Sequence, residues 1–446
     1  MPAESQGARN LPGRDALALG YAGGHTPLVG EHQTRSILRD PAFGRLWFIQ
    51  AATQVGGNMA LYALTILVFA TTRSNAAVSA LVMSFLVPPI LLSAVAGVVV
   101  DRLDVRWALV VPNAVRMLLT IGLAAAGAEV GLLLLLNLGV SLTAVVLTPA
   151  EAAMIPRVVP KPQLETAMGI FNLTLQASFA AGFAFLGPLL VTFAGPSAVL
   201  AIVAVLYAAA TLAALGLPSA PPLPREDRTV RATRVPLRQL SEGLNVIRRD
   251  REVGRPLVHL AAAASLVGVV GVLGPNLADS IGLDPEDLIV VVLPLGLGVV
   301  AGVFGLRRFG RGVPRRRTGE AGLVAFGLLA LGIAAIGLAG ERVGLGAVPA
   351  VAVLAFGAGA AYATTSVSAQ TALFEHMPAG VRGRVFGVLA SIVSATSLLP
   401  ILAAGPLADV LSGPLVIAIT AAAVVAVGAT SVMLFGPPEG HATPSG

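Results

Sequence analysis

The sequence predicts an all-α membrane protein whose twelve transmembrane helices form two pseudo-symmetric six-helix bundles. Three observations predict this fold class: the composition, the length of the apolar runs, and the placement of the basic residues. Hydrophobic residues make up 56% of the 446 residues and charged residues only 12%, and the mean hydropathy is +0.84. A soluble domain carries about 25% charged residues. A chain this poor in charge could not cover a water-facing surface, whereas a lipid-facing surface needs no charge.

Apolar runs follow one another from Leu46 onward, separated by short charged or Gly/Pro-rich breaks. A run of about 20 residues in a helix crosses the roughly 30 Å hydrocarbon core of a bilayer. No strand-like alternation persists long enough for a barrel, so each run is predicted to be a helix. The predicted spans are 46–70, 78–100, 107–127, 131–155, 164–193, 197–217, 257–281, 286–306, 320–340, 344–374, 384–408 and 414–435.

The basic residues indicate the orientation, because cytoplasmic loops carry an excess of Lys and Arg. With the N-terminus inside, 26 of the 29 basic residues fall in cytoplasmic segments. Only Arg73 and Arg342 fall outside, and Arg116 lies within a helix. This asymmetry explains the net charge of +6 without a nucleic-acid partner. We therefore expect a monomer that crosses the plasma membrane many times and has both termini in the cytoplasm.

The longest break between the runs divides the chain into two groups of six predicted helices. It is rich in Pro and then in charges, and the apolar spacing between Leu237 and Leu257 predicts an amphipathic helix at the inner surface. The predicted organisation is a disordered cytoplasmic tail over 1–36, an N-terminal bundle over 37–217, a cytoplasmic linker over 218–256, a C-terminal bundle over 257–435, and a cytoplasmic tail over 436–446.

An internal repeat at a constant offset of 218 residues supports the two halves. Gly56 and Asn58 align with Gly274 and Asn276, and Gly187-Pro188 aligns with Gly405-Pro406. Chance is the alternative explanation, since Gly, Ala and Pro are abundant. Two halves in parallel repeat are typical of secondary transporters, which bind substrate between the halves near the midplane.

The segment Gly97-Val-Val-Val-Asp101-Arg102-Leu-Asp-Val-Arg106 resembles the loop signature of the major facilitator superfamily, Gly-x-x-x-Asp-Arg-x-x-x-Arg. Segments 152–160, 242–250 and 382–387 look similar to the drug-exporter group that includes macrolide efflux pumps and the enterobactin exporter. The resemblance implies the major facilitator fold over roughly 40–435 and export driven by an ion gradient. The antiporter signature of helix 5 is partial, because one residue too many lies between Gly182 and Gly187-Pro188.

The resemblance also implies a cytoplasmic gate built on Asp101. In the superfamily this acid meets the positive end of helix 11 and nearby Arg side chains, an arrangement that a helix dipole favours. Alternatively, Asp101 and Arg102 are solvated charges that only set the topology. Leu306 replaces the acid in the second half, so the gate is predicted to be asymmetric. The residues assigned to it are Gly97, Asp101, Arg102, Arg106, Arg157, Arg382 and Arg384.

Two charged residues inside predicted helices are candidates for proton coupling. Arg116 lies deep in helix 3, where an Arg normally faces a partner or a wet cavity. Glu151 in helix 4 is the nearest candidate acid and the candidate proton carrier, and a structural ion pair between the two is the alternative. Asn58 stands where related exporters often have an acid, and its repeat mate Asn276 is also an amide. An amide cannot carry a proton at physiological pH.

Polar side chains at helical spacing predict a cavity. Gln50, Gln54 and Asn58 share one face of helix 1, and such a face turns to a cavity or to a neighbouring helix rather than to lipid. The scarcity of charge indicates a small amphipathic or hydrophobic substrate. The candidate cavity residues are Gln50, Gln54, Asn58, Asn172, Gln176, Asn276, Tyr362 and Gln370.

The sequence offers no basis for an enzyme. It contains no P-loop that would bind ATP, no catalytic nucleophile with a base, and no metal-ligand cluster, so no cofactor and no metal are expected. Three functions stay open: an exporter of drugs or amphipathic products, a lipid or lysolipid transporter of the same fold, and a membrane scaffold or sensor that transports nothing. A lateral opening between helices would favour the lipid transporter.

Overall fold

The computed structural model describes Ile37 and residues 39–221, 251–309, 315–342, 344–376 and 382–434. Within these ranges, twelve helices are long and apolar enough to cross a membrane, which confirms the predicted fold class. Their bounds are α1 Pro41–Thr72, α2 Asn75–Val100, α3 Val105–Ala125, α4 Val130–Val158, α5 Leu164–Phe179 continued by a π-helical turn Ala180–Leu186 and by Gly187–Ala194, α6 Pro196–Leu215, α7 Arg251–Ser280, α8 Ile289–Phe309, α9 Arg315–Ala339, α10 Val348–His376, α11 Arg382–Val410 and α12 Gly413–Leu434.

Three helices, α1, α7 and α9, begin five or more residues before the predicted spans. Helix α1 starts at Pro41, because the Asp40 carboxylate accepts hydrogen bonds from the backbone of Ala42 and Phe43 and so caps the helix. Helix α7 starts at Arg251, inside the predicted linker. The predicted amphipathic helix up to residue 250 and both predicted tails lie outside the described residues.

The six helices of each half pack mainly on one another. In the first half, α1 packs against α2, α5 and α6, and α3 packs between α4 and α6. In the second half, α10 packs against α7, α8 and α9, and α12 packs against α7, α9 and α11. Between the halves, α2 packs on α11 and α5 packs on α8. These two seams are the principal contacts that join the bundles in the described part of the chain.

Glycines allow α8 and α10 to approach closely. A Cβ at Gly298 would overlap the carbonyl oxygen of Phe356, and a Cβ at Gly359 would overlap that of Leu295. Because lipid gives no hydrophobic drive for helices to associate, close backbone contact between small residues stabilises membrane helix pairs. The α8–α10 pair is therefore one tightly packed wall of the second half.

We expect Gly359→Ala to destabilise the protein, since the added methyl group has to push α8 away. Overpacking of this kind costs about 1–3 kcal/mol. Gly271→Ala is the matched control, because a Cβ added at Gly271 would meet no described atom within 4 Å. Thermal unfolding in detergent measures both variants. Equal melting temperatures for the two would contradict the assigned close contact.

Candidate functional site: a cavity and its gate

The two ends of the helix bundle differ in charge. Arg45, Arg106 and Arg157 lie where α1 begins, and each donates a hydrogen bond to a backbone carbonyl of the chain that follows α6, between Leu215 and Pro221. We call this the basic end. The end at which α1 finishes is the opposite end.

A cavity of about 1250 Å³ lies between α5, α7, α8, α9 and α10, mostly nearer the basic end. Ligand pockets commonly measure about 300–1,000 Å³, so a drug-sized molecule fits inside it. Its described lining is mainly Ala, Val, Leu and Phe and contains no charged side chain. The polar residues that line it are Asn172, Thr318, Tyr362, Ser366, Ser368 and Gln370.

The seam between α5 and α8 forms one side of the cavity. The helices meet where a Cβ on Gly296 would come within 2.8 Å of the Ala184 side chain. Toward the basic end, Leu173 on α5 and Phe304 on α8 line the cavity and are 68% and 64% exposed. Apolar side chains that are exposed within a membrane span can face lipid as well as the cavity.

Three of the predicted cavity residues lie on its lining: Asn172, Tyr362 and Gln370. Tyr362 is held by the ring of Phe326, at a centroid distance of 5.7 Å. The side chain of Gln176 lies outside the described part of the chain. No sequence pattern pointed to Thr318, Ser366 or Ser368, since single hydroxyl residues are ordinary in membrane helices.

The described cavity lining does not include Gln50, Gln54, Asn58 or Asn276. Gln50 donates to the Phe171 carbonyl at 3.1 Å, and Asn58 donates to the Gln54 carbonyl on its own helix at 2.9 Å. Asn276 lies against Gly413, where α12 begins. Gln50 thus bonds a neighbouring helix, which was the alternative to a cavity position, whereas Asn58 bonds its own helix.

The extra residue in the partial antiporter signature coincides with the π-helical turn of α5. A π-helical turn accommodates an inserted residue and occurs frequently at functional sites. Here it brings Gly182 against α1, where a Cβ would lie 2.5 Å from the Val55 carbonyl oxygen and 2.7 Å from the Asn58 Cβ. The turn therefore seats α5 on α1 beside the cavity.

Arg116 and Glu151 are both buried in the first half, at 7% and 6% exposure. Arg116 donates to Thr143 Oγ1 at 3.0 Å and lies over the Tyr207 ring. Thr143 precedes Glu151 by about 12 Å along α4, at 1.5 Å per residue. No ion pair joins Arg116 to Glu151 among the described contacts, and Glu151 Oε1 has no hydrogen-bond partner there.

The loop after α2 is held by Asp104 rather than by Asp101. Asp101 is exposed and makes no side-chain hydrogen bond among the described residues. Asp104 accepts hydrogen bonds from Ser219 Oγ, Ala220 N and Arg106 N. Burial raises the pKa of Asp104, but the three hydrogen bonds and the nearby charge of Arg157 together lower it by more, so the pKa lies below its usual value.

In the described part of the chain, no hydrogen bond or ion pair joins Asp101 to Arg102, Arg106 or Arg157. Arg106 and Arg157 instead bind backbone carbonyls. The side chains of Arg382 and Arg384 lie outside the described residues. A Cβ added at Gly97 would meet no described atom within 4 Å. Carboxylates that bridge the halves are found at the opposite end.

Asp409, at the end of α11, caps the beginning of α2 in the other half. Its carboxylate accepts four hydrogen bonds of 2.7–3.0 Å, from Ser74 Oγ, Asn75 N, Asn75 Nδ2 and Ala76 N. A carboxylate at a helix N-terminus is stabilised by the free N–H groups and by the helix dipole. We call this arrangement the Asp409 clamp.

A second contact lies beside the Asp409 clamp. Ser79 of α2 inserts its hydroxyl into the backbone ladder of α11, where it accepts from Gly405 N and donates to the Ile401 carbonyl, both at 3.0 Å. A side chain at Gly405 would collide with Asn75 and Ser79. The two contacts keep the halves together at the opposite end. No local sequence pattern indicates this role for Asp409, because its partners lie more than 330 residues earlier.

A family model for the Major Facilitator Superfamily matches residues 46–399. Solved structures with a similar fold include the nucleoside transporter NupG, at 14% identity and a TM-score of 0.64, covering 87% of this chain and 98% of that one. An auto-inhibited POT family peptide transporter matches at 12% and 0.66, covering 91% and 99%. An inward-facing bacterial homologue of the human lysosomal transporter Spinster matches at 16% and 0.58, covering 92% and 95%. None of the curated protein sequences matches the chain.

We expect Asp409→Asn to favour opening at the opposite end. Hydrogen bonds to a charged group contribute about 1.5–3 kcal/mol each, so losing the charge should shift the equilibrium about tenfold or more. The chain contains no cysteine. Spin labels on Phe193→Cys and Asp284→Cys, one in each half, would therefore report the distance across this end by pulsed EPR.

Asp279→Asn is the matched control for this measurement. Asp279 pairs with Arg73 across the same end at 2.7 Å, but both side chains are about half exposed. Exposed ion pairs contribute only about 0–1 kcal/mol. The control should keep the wild-type distances. A wild-type distribution in Asp409→Asn as well would show that the carboxylate does not hold the end closed.

Proposed function

Because the chain belongs to the Major Facilitator Superfamily, we propose that it is a secondary transporter that exports drugs or other amphipathic small molecules, macrolide-like or siderophore-like in character, by alternating access. The observation that carries this proposal is the large cavity without charge in its described lining. A phosphate substrate would call for Arg or Lys in the lining. An amphipathic molecule needs apolar walls and a few hydrogen-bonding groups.

The lining supplies these groups in a suitable arrangement. Asn172 lies on α5, and Tyr362 and Gln370 lie on α10, at the other side of the cavity. An amide offers both donors and an acceptor, and a phenol offers one of each. Three such groups on facing walls can orient a molecule whose remaining surface contacts Leu, Val and Phe.

The charge of the two ends supports a cavity that faces the cytoplasm, as export requires at the start of the cycle. The Asp409 clamp closes the opposite end, while the cavity lies mostly nearer the basic end. Basic loops face the cytoplasm in most membrane proteins. With that orientation, in the plasma membrane and with both termini inside, this state takes up substrate from the cytoplasm. Opening of the clamp would then release it outside.

Glu151 is our candidate for coupling to a proton gradient. Its buried Oε1 has no hydrogen-bond partner among the described residues. An ionised carboxylate without a partner is strongly disfavoured in such a place. A proton on Glu151 removes the charge in this state. In the other state, a rearrangement of Arg116 away from Thr143 would pair the guanidinium with the ionised acid and release the proton.

Transport of a lipid or lysolipid is the second candidate, and the α5–α8 seam favours it. Leu173 and Phe304 are exposed at this seam and also line the cavity. An acyl chain could therefore enter from the bilayer while its head group stays near the basic end. A membrane scaffold or sensor that transports nothing is the third candidate. The cavity would then have no transported substrate.

We expect Glu151→Gln to abolish accumulation driven by a pH gradient and to preserve exchange of substrate across the membrane. Exchange needs the conformational change but no net proton movement. Proteoliposomes loaded with a fluorescent hydrophobic dye or a macrolide give both rates. Glu129→Gln, at an exposed position before α4, is the matched control. Accumulation at the wild-type level in Glu151→Gln would remove Glu151 from the coupling mechanism.

We expect Ala177→Trp to reduce substrate flux about tenfold or more, because Ala177 lines the cavity and an indole would fill part of it. Ala201→Trp on α6 is the control, since Ala201 is exposed and lies outside the cavity lining. Dye or macrolide flux and labelled-lysolipid flux are measured in parallel. Flux of the lysolipid alone supports the second candidate, and no flux in the wild type supports the third.

A further inference from the structure

A buried chain of polar side chains joins three helices of the second half at its basic end. His259 on α7, Glu320 on α9 and Ser431 on α12 are 5%, 4% and 7% exposed. His259 Nε2 lies 3.0 Å from Ser431 Oγ, and Ser431 Oγ donates to Glu320 Oε1 at 3.1 Å. Arg316 Nε donates to the same carboxylate oxygen at 3.1 Å. The substrate cavity contains none of these four residues.

The hydroxyl of Ser431 fixes the state of the imidazole. A hydroxyl has one hydrogen, and Ser431 gives it to Glu320. His259 Nε2 must therefore be the donor to Ser431, and it carries a hydrogen. The protonation of Nδ1 alone then decides whether His259 is neutral or cationic. Glu320 accepts from both Ser431 and Arg316, so it acts as the carboxylate of the chain.

We propose that His259 is a proton-binding site of the second half, and that its occupancy biases the equilibrium between the two states of the bundle. The proposal depends on the proposed function in one respect: the two states are taken to be the two states of the transport cycle. The Ser431 and Glu320 side chains position the imidazole, and Nδ1 binds the proton. Water can approach from the basic end, where the Arg316 side chain is 30% exposed.

The charges around His259 explain why its protonation would move helices. Arg255 on its own helix and Arg316 and Glu320 on α9 act on it electrostatically. Helix α12 contributes Ser431 and carries no charged residue. At this end α10 and α11 carry Glu375, His376, Arg382 and Arg384, whose side chains lie outside the described residues. Arg255, Arg316 and Glu320 together carry one net positive charge, and a proton on His259 would raise it to two. Burial disfavours such a gathering of like charges.

The group also touches the wall of the cavity. Thr318, two residues before Glu320, lines the cavity. The carbonyl of Gly319 accepts a hydrogen bond from Thr365 Oγ1 of α10, although at 3.4 Å. A shift of α9 that separates Glu320 from Ser431 would therefore also displace α10 and the residues that line the cavity. This contact gives the proton a route to the transport cycle that does not pass through Glu151.

NMR of the protein labelled with ¹³C-histidine, in nanodiscs, tests proton binding directly. We expect one signal, absent from His259→Gln, to titrate between about pH 4 and 9. Its midpoint should change by about half a pH unit or more in Glu320→Gln, because the carboxylate no longer acts on the ring. His376→Gln is the control and should retain that signal. A His259 signal that does not titrate in this range would overturn the proposal.

The pH dependence of the spin-label distances between Phe193→Cys and Asp284→Cys tests the coupling. We expect the two distance populations of the wild type to change with pH, and this change to weaken in both His259→Gln and Ser431→Ala. Unchanged pH dependence in both folded variants, checked by size-exclusion chromatography, overturns the proposal. Neither measurement needs a substrate. If the protein moves none of the tested compounds, the proposed function is wrong. The NMR titration and the spin-label distances still decide whether His259 binds a proton.

Discussion

The Asp409 clamp is the interaction on which the arrangement of the two halves depends. The Asp409 carboxylate accepts hydrogen bonds from backbone N–H groups at the start of α2 in the other half. The first N–H groups of a helix have no acceptor within the helix itself. Separation of the halves would leave both a charge and these donors without partners unless water enters. The opposite end therefore has two distinct conditions, one closed and dry and one open and hydrated. A bundle that is closed in this way at one end has room for a cavity toward the other.

Close backbone packing makes the helices within each half resist displacement relative to one another. Gly298 and Gly359 bring α8 and α10 together, and Gly182 seats the π-helical turn of α5 on α1. Interlocked helices of this kind resist small deformations, because any shift brings backbone atoms into collision. A change of state then occurs at the seams between the halves, where Ser79 and Asp409 make polar contacts that can be exchanged for water.

The sequence predicted the helices well, because run length and hydropathy report directly on the bilayer. It also identified Asn172, Tyr362 and Gln370, which line the cavity. It did not separate them from Gln50 and Asn58, since helical periodicity shows that residues share a face and does not show which neighbour that face meets. Asp409 and the His259–Ser431 contact were missed for a related reason. Their partners are 172 or more residues away, and no local spacing connects them.

The buried carboxylates of the two halves differ in their hydrogen bonding. Glu320 accepts hydrogen bonds from Arg316 and Ser431. Glu151 has an oxygen with no described partner, while Arg116 is turned toward Thr143. On the proposed assignments, the repeated scaffold carries unlike chemistry in its halves. Protonation of the first half would fall on the acid Glu151, and protonation of the second half would fall on the imidazole that Glu320 orients. Because one proton removes a negative charge and the other adds a positive one, the two halves would respond to the same pH change through opposite electrostatic forces.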